Sequence, residues 1–316
     1  MRSVLFFTVV LIFAFAKGNS LKAQTSVKTH EGVNIGGIQQ WIGAKGDDAS
    51  KPVLLFLHGG PGFSSKTYTK KLVRALRRDF IVVQWDQRET SITKAWNRSK
   101  DSLSLPLMYQ DTEAVIRYVL QKFDKDKLYL LGYSWGGHLG FQAAAAHPEL
   151  LHALIAVNPM VAVDKGNQLT LSYLKERALQ TQNTKAIAAL DTIRLPISSW
   201  QSLKTLREWI NYFESGRKSS YSESIYSTWA AIWMPLYMEA SRFDSLNTYP
   251  VLDCPVYFLS STSDYVSHFK TVEAYYNQLE APKKEMIWFS EAGHDIPSKK
   301  PKELAKTLLD ILREGA

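Results

Sequence analysis

Residues 128–148 read LYLLGYSWGGHLGFQAAAAHP: an apolar run ending at Gly132, then Tyr133, Ser134 and Trp135, two more glycines and an alanine-rich helical stretch. This segment restricts the fold more tightly than any other. A buried strand has to turn at once into a helix, with a serine at the vertex. Gly132 and Gly136 mark a turn so sharp that its flanking positions tolerate little beyond hydrogen. Such a vertex projects its hydroxyl at the edge of a sheet. A helix begins directly after it, so the backbone N–H of Trp135 has no intrahelical partner and can receive a developing negative charge.

The same alternation runs along the chain. Apolar strands are expected at 53–57, 80–85, 128–131, 153–157, 255–260 and 285–289, with helices at 66–78, 106–122, 135–146, 268–279 and 299–313. Residues 26–42 read as two short strands around glycine turns. Unalternating apolar strands separated by helices imply an α/β fold with a mostly parallel sheet covered on both faces. Residues 159–247 break the rhythm: they are helix-like and rich in aromatics, among them Trp200, Trp209, Trp229 and Trp233. The alternation restarts afterwards, so this stretch reads as an inserted helical cap. The expected organisation is a signal peptide at 1–23, core parts at 24–158 and 248–316, and the cap at 159–247.

In open α/β sheets reactive groups collect at the carboxyl ends of strands. Ser134 follows one strand. Asp264, in SSTSDYVS, follows the strand at 255–260, and His294, in SEAGHDIP, follows the strand at 285–289. A weakly acidic hydroxyl becomes a nucleophile when an imidazole takes its proton and a buried carboxylate holds that imidazole in one tautomer. Asp253 and Asp244 compete for the carboxylate role, but they precede their strand. Asp295 reads as solvated. HGGPG, residues 58–62, follows the strand at 53–57 and offers a second N–H for an oxyanion, from Gly60 in preference to Gly59. His58 reads as a structural residue of that loop, and the other histidines show no metal-ligand spacing.

The start of the chain, MRSVLFFTVVLIFAFAKGNSLKAQ, has a short positive beginning and a thirteen-residue apolar run, short for a bilayer span. Cleavage is expected after Ala23, with Ala16 competing. The formal charge is +8, of which Arg2, Lys17 and Lys22 supply three, leaving +5 spread among acids with no basic stripe. Nucleic acid is therefore not an expected partner. A single cysteine, Cys254, permits no intrachain disulfide, which in an exported protein suits a bacterial periplasm or secretion. No membrane association is expected after cleavage, and oligomeric state is not legible.

Over about 30–160 and 250–312 the chain resembles the α/β-hydrolases, most closely the proline iminopeptidase branch. The resemblance rests on HGGPG, WDQR, YQDTEAVIRYVL and GYSWGG. It implies Ser134 as nucleophile, Asp264 as acid, His294 as base, Trp135 and Gly60 as oxyanion donors, and no cofactor or metal. The chain departs from the family pattern in four places. Glu89-Thr90 replaces the usual glycine after Asp-Gln-Arg, Gly-Tyr-Ser replaces Gly-Gly-Ser, no proline follows Asp264, and the cap stretch STWAAIWMPLYMEAS lacks the family's Trp-Glu pair. The family's aminopeptidases hold a substrate amine on cap glutamates. A buried ammonium needs a carboxylate partner, which aromatic faces supplement by about 0.5–2 kcal/mol without replacing it. Candidates here are Glu89, Glu208, Glu214, Glu223 and Glu239, with Trp229 and Trp233 as aromatic walls. The expected substrate is a small molecule or short peptide: an amide with an N-terminal proline-like residue, alternatively a carboxylester or lactone with an apolar acyl group. A binding protein that has lost turnover is the third class.

Overall fold

β1 (Val27–Ile35) and β2 (Ile38–Gly46) form an antiparallel hairpin closed by Gly36 and Gly37 at φ 56° and 81°. Positive φ at both central residues matches the right-handed strand twist, and glycine adopts it without strain. The computed structural model describes residues 25–97, 102–218 and 222–315; the signal-peptide expectation at 1–23 lies outside them. The order continues β3 (Val53–Leu57), α1 (Lys70–Leu76), β4 (Ile81–Asp86), α2 (Ser91–Trp96), α3 (Leu105–Phe123), β5 (Leu128–Tyr133), α4 (Trp135–Ala146) and β6 (Leu151–Val157). An all-helical insert follows: α5 (Val163–Gln180), α6 (Thr184–Asp191), α7 (Trp200–Ser215), α8 (Glu223–Ser241) and α9 (Ser245–Thr248). The chain closes with β7 (Val256–Ser260), α10 (Phe269–Gln278), β8 (Lys284–Trp288), α11 (Ile296–Lys299) and α12 (Pro301–Glu314).

The eight strands form one sheet in the order β1-β2-β4-β3-β5-β6-β7-β8, parallel from β4 to β8. Both faces are covered. On β3 all five side chains are buried: Val53, Leu55 and Leu57 belong to the core shared with α3, α4 and α10, while Leu54 and Phe56 pack with α1 and α12. Full burial of each such side chain contributes about 1.5–3 kcal/mol, which is why a strand inside an α/β sheet carries no polar alternation. Helices match by periodicity: α12 buries Leu304, Leu308 and Ile311, one face at helical spacing.

Two expected helices differ. The segment 66–78 is a 3₁₀ turn at Ser65–Thr67 followed by α1 from Lys70. Thr69 Oγ1 donates to Ser65 O at 2.7 Å, and Gln84 of β4 donates to Ser65 Oγ and Thr69 Oγ1 at 3.0 and 2.7 Å. These side-chain bonds compete with a regular helix start. The segment 299–313 divides into α11 and α12 because Pro301 lacks an N–H and cannot continue the preceding turn. Among the described residues no helix is long and apolar enough to cross a membrane.

Candidate active site

The loops at the carboxyl ends of β3, β5, β6, β7 and β8 meet on one edge of the sheet. Ser134 occupies the vertex between β5 and α4 at φ 54° and ψ −114°, a strained conformation for a non-glycine residue. It is held there from both sides. Its N–H donates to Val157 O at 3.0 Å, and its carbonyl accepts from Gly137 and Met160 N–H at 2.9 and 3.0 Å. The flanking glycines answer to close approach: a Cβ on Gly136 would stand 2.1 Å from Leu57 O, and one on Gly132 2.4 Å from Gly136 O.

Asp264, in the loop after β7, is buried. Its Oδ1 accepts from Val266 and Ser267 N–H at 2.8 and 3.0 Å, and its Oδ2 meets His294 Nδ1 at 2.9 Å. A carboxylate oxygen only accepts, so Nδ1 carries the proton. The neutral imidazole then presents a bare Nε2 to Ser134 Oγ, 3.0 Å away. The structure thus brings Ser134, His294 and Asp264 into one hydrogen-bonded chain. Neither rival aspartate joins it: Asp244 caps α9 through Leu246 N–H, and Asp253 is exposed. Asp295 is exposed, as expected, but it accepts from Tyr133 Oη at 3.0 Å.

Sequence reasoning missed Asn158. This residue is fully buried at the end of β6, at φ 40°. Its Nδ2 donates to the carbonyls of Gly293 and His294 at 3.0 and 2.8 Å, and its Oδ1 accepts from Ser261 N–H at 3.0 Å. One side chain therefore ties the histidine loop to the loop of Asp264. The signal was present: a polar residue ending an apolar strand, as at His58 and Ser134.

Trp135 is the first residue of α4, and Gly60 lies with Gly59 in the loop after β3, bordering the same pocket as Ser134. Gly59 packs on the serine, since a Cβ there would stand 3.2 Å from Ser134 Cβ. His58 behind it is buried; its Nε2 accepts from Gln87 N–H at 3.3 Å, which leaves Nδ1–H for Gly59 O at 2.9 Å. Burial lowers its pKa to about 4, so it is neutral and structural. Arg88 is also structural. It pairs with Asp111, not with the adjacent Glu89, and donates to Gly36 O at the β1–β2 turn.

Ser134 and His294 open on a cavity of about 460 Å³ between the sheet edge and the insert. Phe63, Met160, Leu203, Ile225 and Trp229 supply much of its apolar wall. Trp229 is fixed by donation from Nε1 to Pro61 O at 2.8 Å. Arg207, Asn211 and Glu214 of α7 and Lys299 of α11 supply polar groups. Glu214 comes close to the histidine loop: its Oε2 lies 3.1 Å from where a Cβ on Gly293 would be. The residue as a whole is exposed, with its carboxyl end beside Gly293. Desolvation there pushes its carboxyl up to about 7, against the pull of Lys299. The other candidate glutamates lie elsewhere. Glu208 pairs with Lys204 at 2.7 Å, Glu239 accepts from Leu105 N–H at the start of α3, Glu223 is exposed in the first turn of α8, and Glu89 does not border the pocket. Trp233 is buried behind the pocket, against Gly62.

A family model described as alpha/beta hydrolase fold matches residues 52–301. The chain is 26% identical over 308 residues to a Bacillus subtilis protein named Probable aminopeptidase YbaC, covering 90% of this chain and 96% of that one. It is 24% identical over 276 residues to a proline iminopeptidase of Heyndrickxia coagulans, covering 83% and 90%. Among solved structures, a proline iminopeptidase of Mycobacterium smegmatis superposes with a TM-score of 0.65 at 18% identity, covering 91% of this chain and 98% of that one.

Proposed function

The chain belongs to the alpha/beta hydrolase fold family, and on that premise we propose that it is an exported serine hydrolase that releases an N-terminal proline-like residue from small peptides. The observation that carries this reading is the hydrogen-bonded chain Asp264–His294–Ser134 opening on a pocket that also holds Glu214. In the proposed reaction Ser134 Oγ bonds to the carbonyl carbon while its proton passes to His294 Nε2. Asp264 keeps Nδ1–H oriented and stabilises the imidazolium. The oxyanion accepts from the N–H groups of Trp135 and Gly60. The C–N bond then breaks as His294 returns the proton to the leaving amine. Water, deprotonated by His294, hydrolyses the acyl-enzyme. No metal or cofactor enters these steps.

Aminopeptidase specificity is supported by Glu214, a carboxylate within the catalytic pocket and able to hold a substrate ammonium, and by relatives named as aminopeptidase and proline iminopeptidase. Export is supported by the positive start and apolar run of residues 1–16. The apolar wall of Phe63, Met160, Ile225 and Trp229 favours a second reading, a carboxylester or lactone hydrolase whose acyl group fills that wall. Prolyl p-nitroanilide, its N-acetyl derivative and a short-chain p-nitrophenyl ester separate the two. The aminopeptidase reading expects cleavage of the free amine and none of the acetylated amide. Equal cleavage of both amides, or turnover of the ester alone, overturns it.

A further inference from the structure

We infer that Arg207 is a carboxylate-binding residue, and that the substrates are zwitterionic peptides of two or three residues whose free C-terminus it holds while Glu214 holds the amine. The inference rests on the aminopeptidase reading and extends it to the leaving group.

Four residues of α7 border the catalytic pocket: Leu203, Arg207, Asn211 and Glu214. Their spacing of four, four and three keeps them on one helical face. The seven residues from Arg207 to Glu214 make nearly two whole turns and a rise of about 10 Å. The other charged pair of α7, Lys204 and Glu208, is satisfied within the helix at 2.7 Å. Arg207 is not so paired: among the described residues no carboxylate lies within 4 Å of its guanidinium. Its Nη1 donates to Val266 O at 3.3 Å, which ties the half-buried side chain to the loop that carries Asp264, at the border of the pocket that Ser134 and His294 share. A guanidinium has five N–H donors in a planar fork, so one carbonyl bond leaves others for a ligand.

A cation at one end of this face and a carboxylate at the other match the two ends of a short peptide. An extended chain of two or three residues spans about 7–11 Å at 3.3–3.6 Å per residue, comparable to the helical rise between these two positions. A cavity of about 460 Å³ has room for a ligand of this size. The bond that breaks is the first peptide bond. Its acyl carbon goes to Ser134 Oγ and the His294 proton to the leaving nitrogen, while the carboxylate at Arg207 belongs to the departing fragment and changes no bond.

The test is calorimetric binding to the Ser134→Ala protein. The probes are Pro-Ala and Pro-Ala-Ala as free acids, as C-terminal amides and as N-acetyl acids. Amidation should raise Kd about 10- to 100-fold, the range for losing a charge-assisted bond. The acid preference should fall below about two-fold when Arg207→Gln is added, and survive in part with Arg207→Lys. Acid and amide binding within about two-fold in Ser134→Ala would overturn the assignment, as would a preference unchanged by Arg207→Gln. The N-acetyl arm reads the amine separately: acetylation without effect removes the aminopeptidase reading and leaves the acid-against-amide comparison standing. If no probe binds at millimolar concentration, both fall.

Discussion

The indole N–H of Trp135 donates to Gln87 Oε1 at 2.9 Å. Gln87 Nε2 in turn donates to His58 O at 3.3 Å, so one amide from the loop after β4 bridges the start of α4 and the HGGPG loop. These segments carry the two N–H groups proposed for the oxyanion. Gln87→Leu removes the bridge and leaves a buried indole N–H without its acceptor, at a cost of about 1–3 kcal/mol. The expected outcome is a kcat lowered about ten-fold or more with KM little changed, measured by steady-state kinetics on the best amide substrate. An unchanged kcat would show that the bridge does not position the donors.

Glu214 gives a pH dependence with a definite sign. Its folded-state pKa, about 7, lies above its ordinary 4.5 because the pocket desolvates the carboxyl; Lys299 and His294 oppose the rise, and Asp264 and Asp295 add to it. Between those values the native protein binds the proton more tightly than the unfolded chain, so this residue's contribution to stability falls as pH rises from about 4.5 to 7. Glu214→Gln should therefore melt higher than the parent at pH 8 and level with it near pH 4. The same variant should raise KM for prolyl amides sharply. Equal melting temperatures at pH 8 would place the carboxyl in open solvent.

Glu89 stands at φ 52° in the loop after β4. Glycine adopts this left-handed backbone at no steric cost, whereas a residue with a Cβ is strained in it. Glu89→Gly should stabilise the protein by about 1 kcal/mol in urea unfolding and leave KM unchanged, since the side chain does not border the pocket. Destabilisation would show that the Glu89 carboxylate makes contacts worth more than the strain.

Much of this was legible in the sequence because it depends on local chemistry. Buried strands announce themselves as unbroken apolar runs, and the Ser134 vertex by glycines that leave no room for a Cβ. The positions of Asp264 and His294 follow from strand ends. What was not legible depends on packing at long range. Among the glutamate candidates, sequence could not choose between those of the cap; the orientation of α7 and α8 sends Glu208 to Lys204, Glu239 to the start of α3 and Glu214 to the histidine loop. Asn158 was missed because its role lies in three backbone partners more than a hundred residues away.

The most direct test of the central claim is intact-mass and peptide mass spectrometry after exposure to a fluorophosphonate. A hydroxyl activated by His294 and Asp264 should be labelled once per chain, on Ser134. Labelling and turnover should both be lost in Ser134→Ala, with the rate lowered roughly 10⁶-fold if the three residues act as a unit. Asp264→Asn should retain the fold and lower the rate about 10⁴-fold by fixing the wrong imidazole tautomer. A label on another residue, or near-normal turnover by Ser134→Ala, would contradict the account.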